Sequence, residues 1–77
     1  MTNEAVKQYR RLNEPILSRI TEAIDKLEIE PPEGDIKELQ GHPGVYRVRV
    51  GGFRILYTIE NACIVIFKIA SRGQIYK

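Results

Sequence analysis

The second half of the chain alternates apolar and polar residues, which is the pattern of half-buried β-strands. Three strands are predicted, over residues 45–50, 53–60 and 63–69. Short turns join them, at Gly51-Gly52 and near Asn61. Because consecutive strands with short connections pair in antiparallel fashion, the pattern predicts a three-stranded meander, or a larger sheet that contains it.

The Gly51-Gly52 loop fixes the register of the first two strands. A two-residue glycine loop between alternating runs is a strong β-hairpin signal, and it pairs Arg49 with Arg54. Since side chains alternate along a strand, Arg47 and Arg49 lie on one face and Tyr46 lies on the other. Like charges directly opposite each other are destabilising, so this face needs a compensating anion, and a polyanion is a natural candidate.

The first half has apolar residues at helical spacing. A first helix is predicted over 3–12, capped by Thr2 or Asn3, and a second begins after Asn13 and ends before Pro31-Pro32. Residues 32–44 form a connector. The predicted fold is α+β, with an N-terminal αα-hairpin packed on the meander. The apolar stripe of the second helix comprises Ile16, Leu17, Ile20, Ala23, Ile24 and Leu27.

The face occupied by Lys68 depends on the second turn. A two-residue Asn61-Ala62 loop places Lys68 on the helix side of the sheet, whereas a three-residue loop that includes Glu60 places it beside Arg54. Because an unpaired buried ammonium is costly, the second register is favoured.

Composition limits the function classes. The 77 residues predict one domain, spanning 1–77. One histidine and one cysteine cannot build a metal site alone, and no cofactor is expected. The single Cys63 lies in an apolar run, which predicts a buried, inert thiol. Without an apolar leader or a run of about 18 apolar residues, the chain is expected to be cytoplasmic, with no membrane contact.

The net charge of +2 conceals an asymmetry. Residues 1–40 hold six basic and nine acidic residues, a net −3, whereas residues 41–77 hold six basic residues and one acidic residue, a net +5. A basic half built on strands favours nucleic-acid binding, and a solvated charged surface is the alternative.

Five residues of the basic half form a candidate catalytic set. Guanidinium groups bind phosphate oxygens and stabilise the charge that develops during phosphoryl transfer, and a tyrosine can stack on an unpaired base. No Asp, Glu or His of the predicted strands lies among them as a general base. The set suits RNA cleavage by its own 2′-hydroxyl or plain RNA binding. It comprises Arg47, Arg49, Arg54, Arg72 and Tyr76.

Two stretches, Lys37 to Tyr57 and Ile69 to Tyr76, resemble the RelE branch of the RelE/ParE toxin superfamily. The shared pattern is L-x-G-x-P-G-x-Y-R-x-R-x-G-x-[FY]-R-x-x-Y, followed by R-x-x-x-Y near the end. The resemblance implies a toxin of a type II toxin–antitoxin system that enters the ribosomal A site and cuts mRNA, leaving a cyclic phosphate. Its partners would be the ribosome, mRNA and an antitoxin that covers the basic surface.

The resemblance also implies roles for single residues. Arg47 and Arg49 would orient the phosphate and help to remove the 2′-hydroxyl proton. Arg54 and Arg72 would stabilise phosphate charge, and Tyr76 would stack on a base. Additional RNA contacts are expected from Lys68 and Lys77.

Two features depart from the family pattern. Well-studied members carry lysine where this chain has Arg47 and Arg49, and an arginine side chain is a poor general base because it stays protonated. Relatives also begin with a β-strand, whereas this chain begins with the first helix. Lack of that strand would leave an apolar groove or an unpaired sheet edge, which favours a homodimer or a partner protein.

Three functions are therefore compared. The first is a ribosome-dependent endoribonuclease that inhibits translation. The second is a ParE-like protein that inhibits gyrase through protein contacts. The third is a decayed toxin that only binds its antitoxin.

Overall fold

The computed structural model describes residues 1–29 and 34–71. Two helices precede a four-stranded antiparallel sheet whose strands follow one another in chain order, which confirms the α+β prediction. The elements are α1 (Asn3–Arg10), α2 (Ile16–Leu27), β1 (Asp35–Glu38), β2 (Val45–Val50), β3 (Phe53–Glu60) and β4 (Cys63–Ser71).

Polar side chains define where each helix begins. The Thr2 hydroxyl accepts a hydrogen bond from the backbone N–H of Ala5, as the sequence predicted for an N-cap. The second helix differs from the prediction, since Asn13 makes no side-chain cap. Instead, the Glu14 carboxylate accepts hydrogen bonds from the backbone N–H of Ser18, at 2.7 Å, and from its hydroxyl. A negative charge at this end also suits the helix dipole.

Both tight turns have two-residue loops. Gly51 has a φ of +57°, and Val50 pairs with Phe53 as predicted. At the second turn Asn61 and Ala62 both have positive φ, 50° and 64°, which is the geometry of a type I′ turn. The three-residue loop favoured from the sequence is therefore wrong.

Lys68 nevertheless lies on the arginine side of the sheet. The pairing of β3 with β4 shifts between Leu56 and Tyr57, because Tyr57 pairs with Ile66 whereas Leu56 pairs with Lys68. This bulge adds one residue to β4 and reverses the alternation beyond it. Lys68 thus reaches the predicted face, opposite Leu56, through a bulge in the strand and not through a longer turn.

The helices pack on the other face of the sheet. The stripe predicted for α2 supplies Ile20 and Leu27 to the core, with Ile16, Ala23 and Ile24 against them. The first helix contributes Ala5, which the sequence pattern did not single out. The remaining buried members are Val48, Ile55, Tyr57, Ile66 and Ile69.

The outer edge of β4 is joined to the first helix. The backbone N–H of Thr2 donates to the carbonyl of Ile66 at 2.8 Å, and the Gln8 side-chain oxygen accepts from the N–H of Ile69 at 2.6 Å. These bonds satisfy two strand groups that would otherwise template pairing with another chain. The edge is therefore partly closed by the chain itself.

Cys63 is exposed, so the prediction of a buried thiol is wrong. It is the first residue of β4, directly after the turn, and alternation points its side chain away from the helix face that Ile64 joins. An apolar run does not bury every member when the strand extends past the helices that cover it. Neither α1 nor α2, the helices of the described segments, has the length and apolar character needed to cross a bilayer.

The core assignment predicts unequal costs for two matched substitutions. Ile20→Ala should lower the free energy of unfolding by about 2–5 kcal/mol, because Ile20 is fully buried. Ile59→Ala should cost less than about 1 kcal/mol, since Ile59 is 54% exposed. Urea denaturation followed by circular dichroism measures both, and equal losses would contradict this assignment.

Candidate nucleic-acid interface

The face of the sheet opposite the helices collects most of its charged side chains. Strand register places directly opposed residues on the same face, so two rows run across all four strands. The rows are Lys37–Arg47–Leu56–Lys68 and Asp35–Arg49–Arg54–Ala70. The structure thus brings together the predicted Arg47, Arg49, Arg54 and Lys68, and we call this surface the arginine face.

Asp35 binds two of the arginines at once. Its carboxylate lies 3.2 Å from Arg47 Nη1 and 2.7 Å from Arg49 Nη2. Arg47 Nη1 also donates to the backbone carbonyl of Asp35 at 2.7 Å. The repulsion expected between the guanidinium groups is therefore compensated, in part, by an acid of the chain and not by an external polyanion alone.

The electrostatic consequence is visible at Asp35 itself. The hydrogen bond from Arg47 lowers the pKa of the Asp35 carboxyl below its usual value of 3.8, and the charges of Arg49 and Arg47 act in the same direction. Partial desolvation opposes them. The carboxylate consequently stays ionised at neutral pH, and it can hold both guanidinium groups.

The three arginines differ in exposure. Arg47 and Arg54 are largely buried, at 8% and 7% exposed, whereas the Arg49 side chain is 54% exposed. Arg49 is therefore the guanidinium of the hairpin that a large anion can reach most directly. Arg47 and Arg54 are positioned to contribute charge from beneath the surface.

An open groove gives access to the buried pair. Its volume is about 410 Å³, and it is lined by Lys37, Glu38, Leu39, Gln40, Arg47 and Arg54. Three of these six residues are cations. We call it the β1 groove, because four of its residues belong to β1 or directly follow it.

Sequence reasoning missed β1 and the two side chains that it adds to the arginine face. Asp35 and Lys37 lie in a stretch treated as a connector, because Ile36 alone between polar neighbours gives no visible alternation. The predicted site residues Arg72, Tyr76 and Lys77 lie outside the described residues. Within residues 1–29 and 34–71, no group of three or more His, Cys, Asp and Glu side chains could hold a metal ion.

A second surface lies at the end of the sheet away from the Gly51 turn. It is an apolar groove of about 640 Å³, lined by Leu27, Glu28, Ile29, Ile59, Ala62, Cys63 and Ile64. Ile29 and Ile59 are 47% and 54% exposed, which is unusual for large apolar residues. Exposed apolar grooves of this kind mark protein-interaction sites.

Sequence comparison relates the chain to toxins. The model of the family described as ParE toxin of type II toxin-antitoxin system, parDE, matches residues 1–76. RelE1 of Methanocaldococcus jannaschii, described as a candidate toxin, is 36% identical across an alignment of 77 positions that spans 94% of this chain and 86% of the relative.

Solved structures give the same relation. The chain is similar to a RelB-RelE antitoxin-toxin complex from Methanococcus jannaschii, with a TM-score of 0.82, 26% identity, and coverage of 97% of this chain and 92% of that one. It is also similar to the archaeal RelE-RelB complex from Pyrococcus horikoshii OT3, with a TM-score of 0.74, 30% identity, and coverage of 94% and 90%.

The Asp35 ion pairs predict a pH-dependent contribution to stability. Asp35→Asn should lower the free energy of unfolding at pH 7, because it leaves the buried Arg47 without its carboxylate. A carboxyl whose pKa is lower in the folded state than in the unfolded state stabilises the fold at pH values above its unfolded pKa. That stabilisation is lost as the pH falls through the folded-state pKa. The difference between parent and variant should therefore shrink below pH 3.8.

Urea denaturation at several pH values measures this difference. Asp25→Asn, which changes an exposed carboxylate on α2, is the matched control and should have little effect. A difference that persists undiminished at low pH would show that Asp35 stabilises the fold without its charge.

Proposed function

The chain belongs to the RelE/ParE superfamily of toxins from type II toxin–antitoxin systems, and on that basis we propose that it is a ribosome-dependent endoribonuclease of the cytoplasm. Its substrate would be mRNA in the ribosomal A site. The 2′-hydroxyl of the RNA would attack the adjacent phosphate and leave a 2′,3′-cyclic phosphate and a 5′-hydroxyl. Cleavage of this kind would stop translation.

One observation carries the proposal: a single face of the sheet concentrates five cations, three of which line an open groove. Lys37, Arg47, Arg49, Arg54 and Lys68 share this face, and Asp35 neutralises only part of their charge. A phosphate backbone is the ligand that such a surface fits best. Because the face is sheet and not loop, its donors are held in fixed positions, as charge stabilisation requires.

The exposures suggest a division of work among the arginines. Arg49 is accessible, so it would contact the mRNA backbone first. Arg54 lines the β1 groove, where it would stabilise the charge that develops on the phosphate. Arg47 is held by Asp35 and would add fixed positive charge. Arg72 and Tyr76 remain proposed partners from the resemblance, the first for phosphate and the second for base stacking.

The second candidate is a ParE-like inhibitor of gyrase. The observation that favours it is the matching family model, which describes ParE toxins and spans residues 1–76. The arginine face weighs against it, because a protein that acts through protein contacts has no need for a groove lined by cations. The two candidates predict different damage in the cell.

An antitoxin is the proposed protein partner. The similar solved structures are described as toxin-antitoxin complexes, and this chain offers an apolar groove that suits a protein segment. Bound antitoxin would cover Ile29 and Ile59 and would extend toward the basic surface. Toxicity would then depend on how much antitoxin is present.

The cleavage activity can be tested with purified chain, programmed ribosomes and end-mapped mRNA. We expect cuts within the A-site codon that require the ribosome. Arg54→Ala should slow cleavage by about 10²–10³-fold, the cost of one charge-stabilising donor. Arg49→Ala should also slow it, and because Arg49 is exposed, this variant tests the face with little risk to the fold. Arg10→Ala, on exposed α1 surface, should cleave at the parent rate.

Three outcomes would count against the proposal. Intact mRNA together with gyrase-dependent DNA breaks would favour the ParE-like function. Intact mRNA and intact DNA, with antitoxin still bound, would favour a decayed toxin. Full cleavage by both Arg49→Ala and Arg54→Ala would place the site elsewhere.

Antitoxin binding can be separated from catalysis by substitution in the apolar groove. Ile59→Asp should weaken binding of a cognate antitoxin by about tenfold or more, because burying an unpaired charge in an apolar contact is costly. Ribosome-dependent cleavage should not change, because Ile59 lies on the helix side of β3, opposite the arginine face. Asn13→Asp, which adds the same charge at an exposed position between the two helices, is the control, and an equal loss there would contradict the assignment of the groove.

A further inference from the structure

The proposed cleavage requires a group that accepts the 2′-hydroxyl proton. A guanidinium stays protonated at all relevant pH values, so Arg47, Arg49 and Arg54 cannot accept it. Positioned general bases commonly contribute about 10²–10⁴-fold to such reactions. The arginines of this face can stabilise the charge on the phosphate, but another group must accept the 2′-hydroxyl proton.

The carboxylates of the described segments are poorly placed for this task. Asp35 is bound between two guanidinium groups, which favour its charged form and weaken it as a base. Glu38 lines the β1 groove, but its position in β1 is opposite Tyr46, on the helix side of the sheet, and its carboxylate accepts a hydrogen bond from the N–H of Gly44 at 3.2 Å. Glu60 lies four residues along β3 from Leu56, about 13 Å away at strand spacing.

Lys37 lies beside the buried arginines, at the β1 groove. It is paired directly with Arg47 across β1 and β2, and its side chain shares the arginine face. It lines the β1 groove together with Arg47 and Arg54. It is also exposed, and within the described parts of the chain its ammonium group makes neither an ion pair nor a side-chain hydrogen bond. Lys68 belongs to the same row but is separated from Arg47 by Leu56 and does not line this groove.

We propose that Lys37 is the general base of the cleavage reaction, an inference that rests on the proposed ribonuclease function. In this step the neutral amine of Lys37 takes the 2′-hydroxyl proton as the 2′-oxygen bonds to phosphorus. The bond between phosphorus and the 5′-oxygen breaks, and the departing oxygen takes a proton from water. Lys37 then returns its proton to solvent, so the overall transesterification consumes no proton.

With Lys37 as the base, phosphate binding and proton transfer are carried out by different residues, whereas a single lysine could do both. Arg47 and Arg49 keep their charge and hold phosphate, while an amine on the neighbouring strand exchanges the proton. Lysine suits this exchange because its ammonium, unlike a guanidinium, loses a proton readily in a desolvated or cationic setting.

The decisive variant is Lys37→Arg, which preserves positive charge and removes the proton acceptor. Single-turnover cleavage on saturating programmed ribosomes should fall by about 10²-fold or more. Ribosome binding, measured by co-sedimentation, should be retained. Lys7→Arg on α1 is the matched control and should cleave at the parent rate, because Lys7 lies on exposed helix surface.

Restoration of an amine tests the chemistry directly. Lys37→Cys in a Cys63→Ser background leaves one cysteine, which 2-bromoethylamine converts into a side chain of lysine length. Cleavage should return after this treatment, whereas alkylation with iodoacetamide should not restore it. Recovery with the amine alone is a result that a structural role for Lys37 would not produce.

Three results would overturn the assignment. Parent-like cleavage by Lys37→Arg would show that no amine is needed at this position. Loss of cleavage in Lys68→Arg, with Lys37→Arg unaffected, would move the base to Lys68. If the folded parent protein does not cleave mRNA, both the proposed function and this inference are wrong. If the parent cleaves and one of the two lysine results above is found, only the assignment of Lys37 is wrong.

Discussion

The ion pairs of Asp35 with Arg47 and Arg49 are the contact on which the arginine face depends. Three guanidinium groups on adjacent positions of a hairpin repel one another, and Arg47 is nearly buried. A buried charge that loses its partner is strongly destabilising, so the sheet needs an acid at this point. β1 supplies it, and the strand that adds an edge to the sheet also neutralises the charge that its neighbour carries.

With these ion pairs the arginine face keeps a net positive charge, while the repulsion between its arginines is partly compensated. Asp35 compensates Arg47 and part of Arg49, while Lys37 and Lys68 remain at the two ends of the row that contains Arg47. The position of Lys68 depends on the bulge between Leu56 and Tyr57, since an unbroken β4 would have turned the lysine toward the helices. Backbone irregularity and side-chain pairing therefore act together to concentrate cations on one surface.

The sequence predicted the features that local chemistry determines and missed those that depend on distant pairing. Gly51-Gly52 determined a hairpin register, and the stripe containing Ile20 and Leu27 determined which side of α2 is buried. β1 was missed because Ile36 is the only apolar residue among its four, and a short edge strand exists mainly through its bonds to β2. The bulge was invisible, since nothing in the β4 residues marks an extra position. The burial of Cys63 was wrongly predicted because apolar sequence neighbours do not by themselves bury a residue at the start of a strand.

The same contrast explains why the candidate site was only partly visible in the sequence. The arginines are visible in the sequence because they lie within a regular hairpin, and three of them so close together indicate a phosphate-binding surface. Asp35 and Lys37 acquire meaning only through register, as residues opposite Arg49 and Arg47. Because Asp35 pairs with Arg47 and Arg49, these two guanidinium groups are held in fixed positions. A surface built in this way suits an anionic ligand, and in the proposed reaction the proton passes to an amine on the neighbouring strand and not to the arginines.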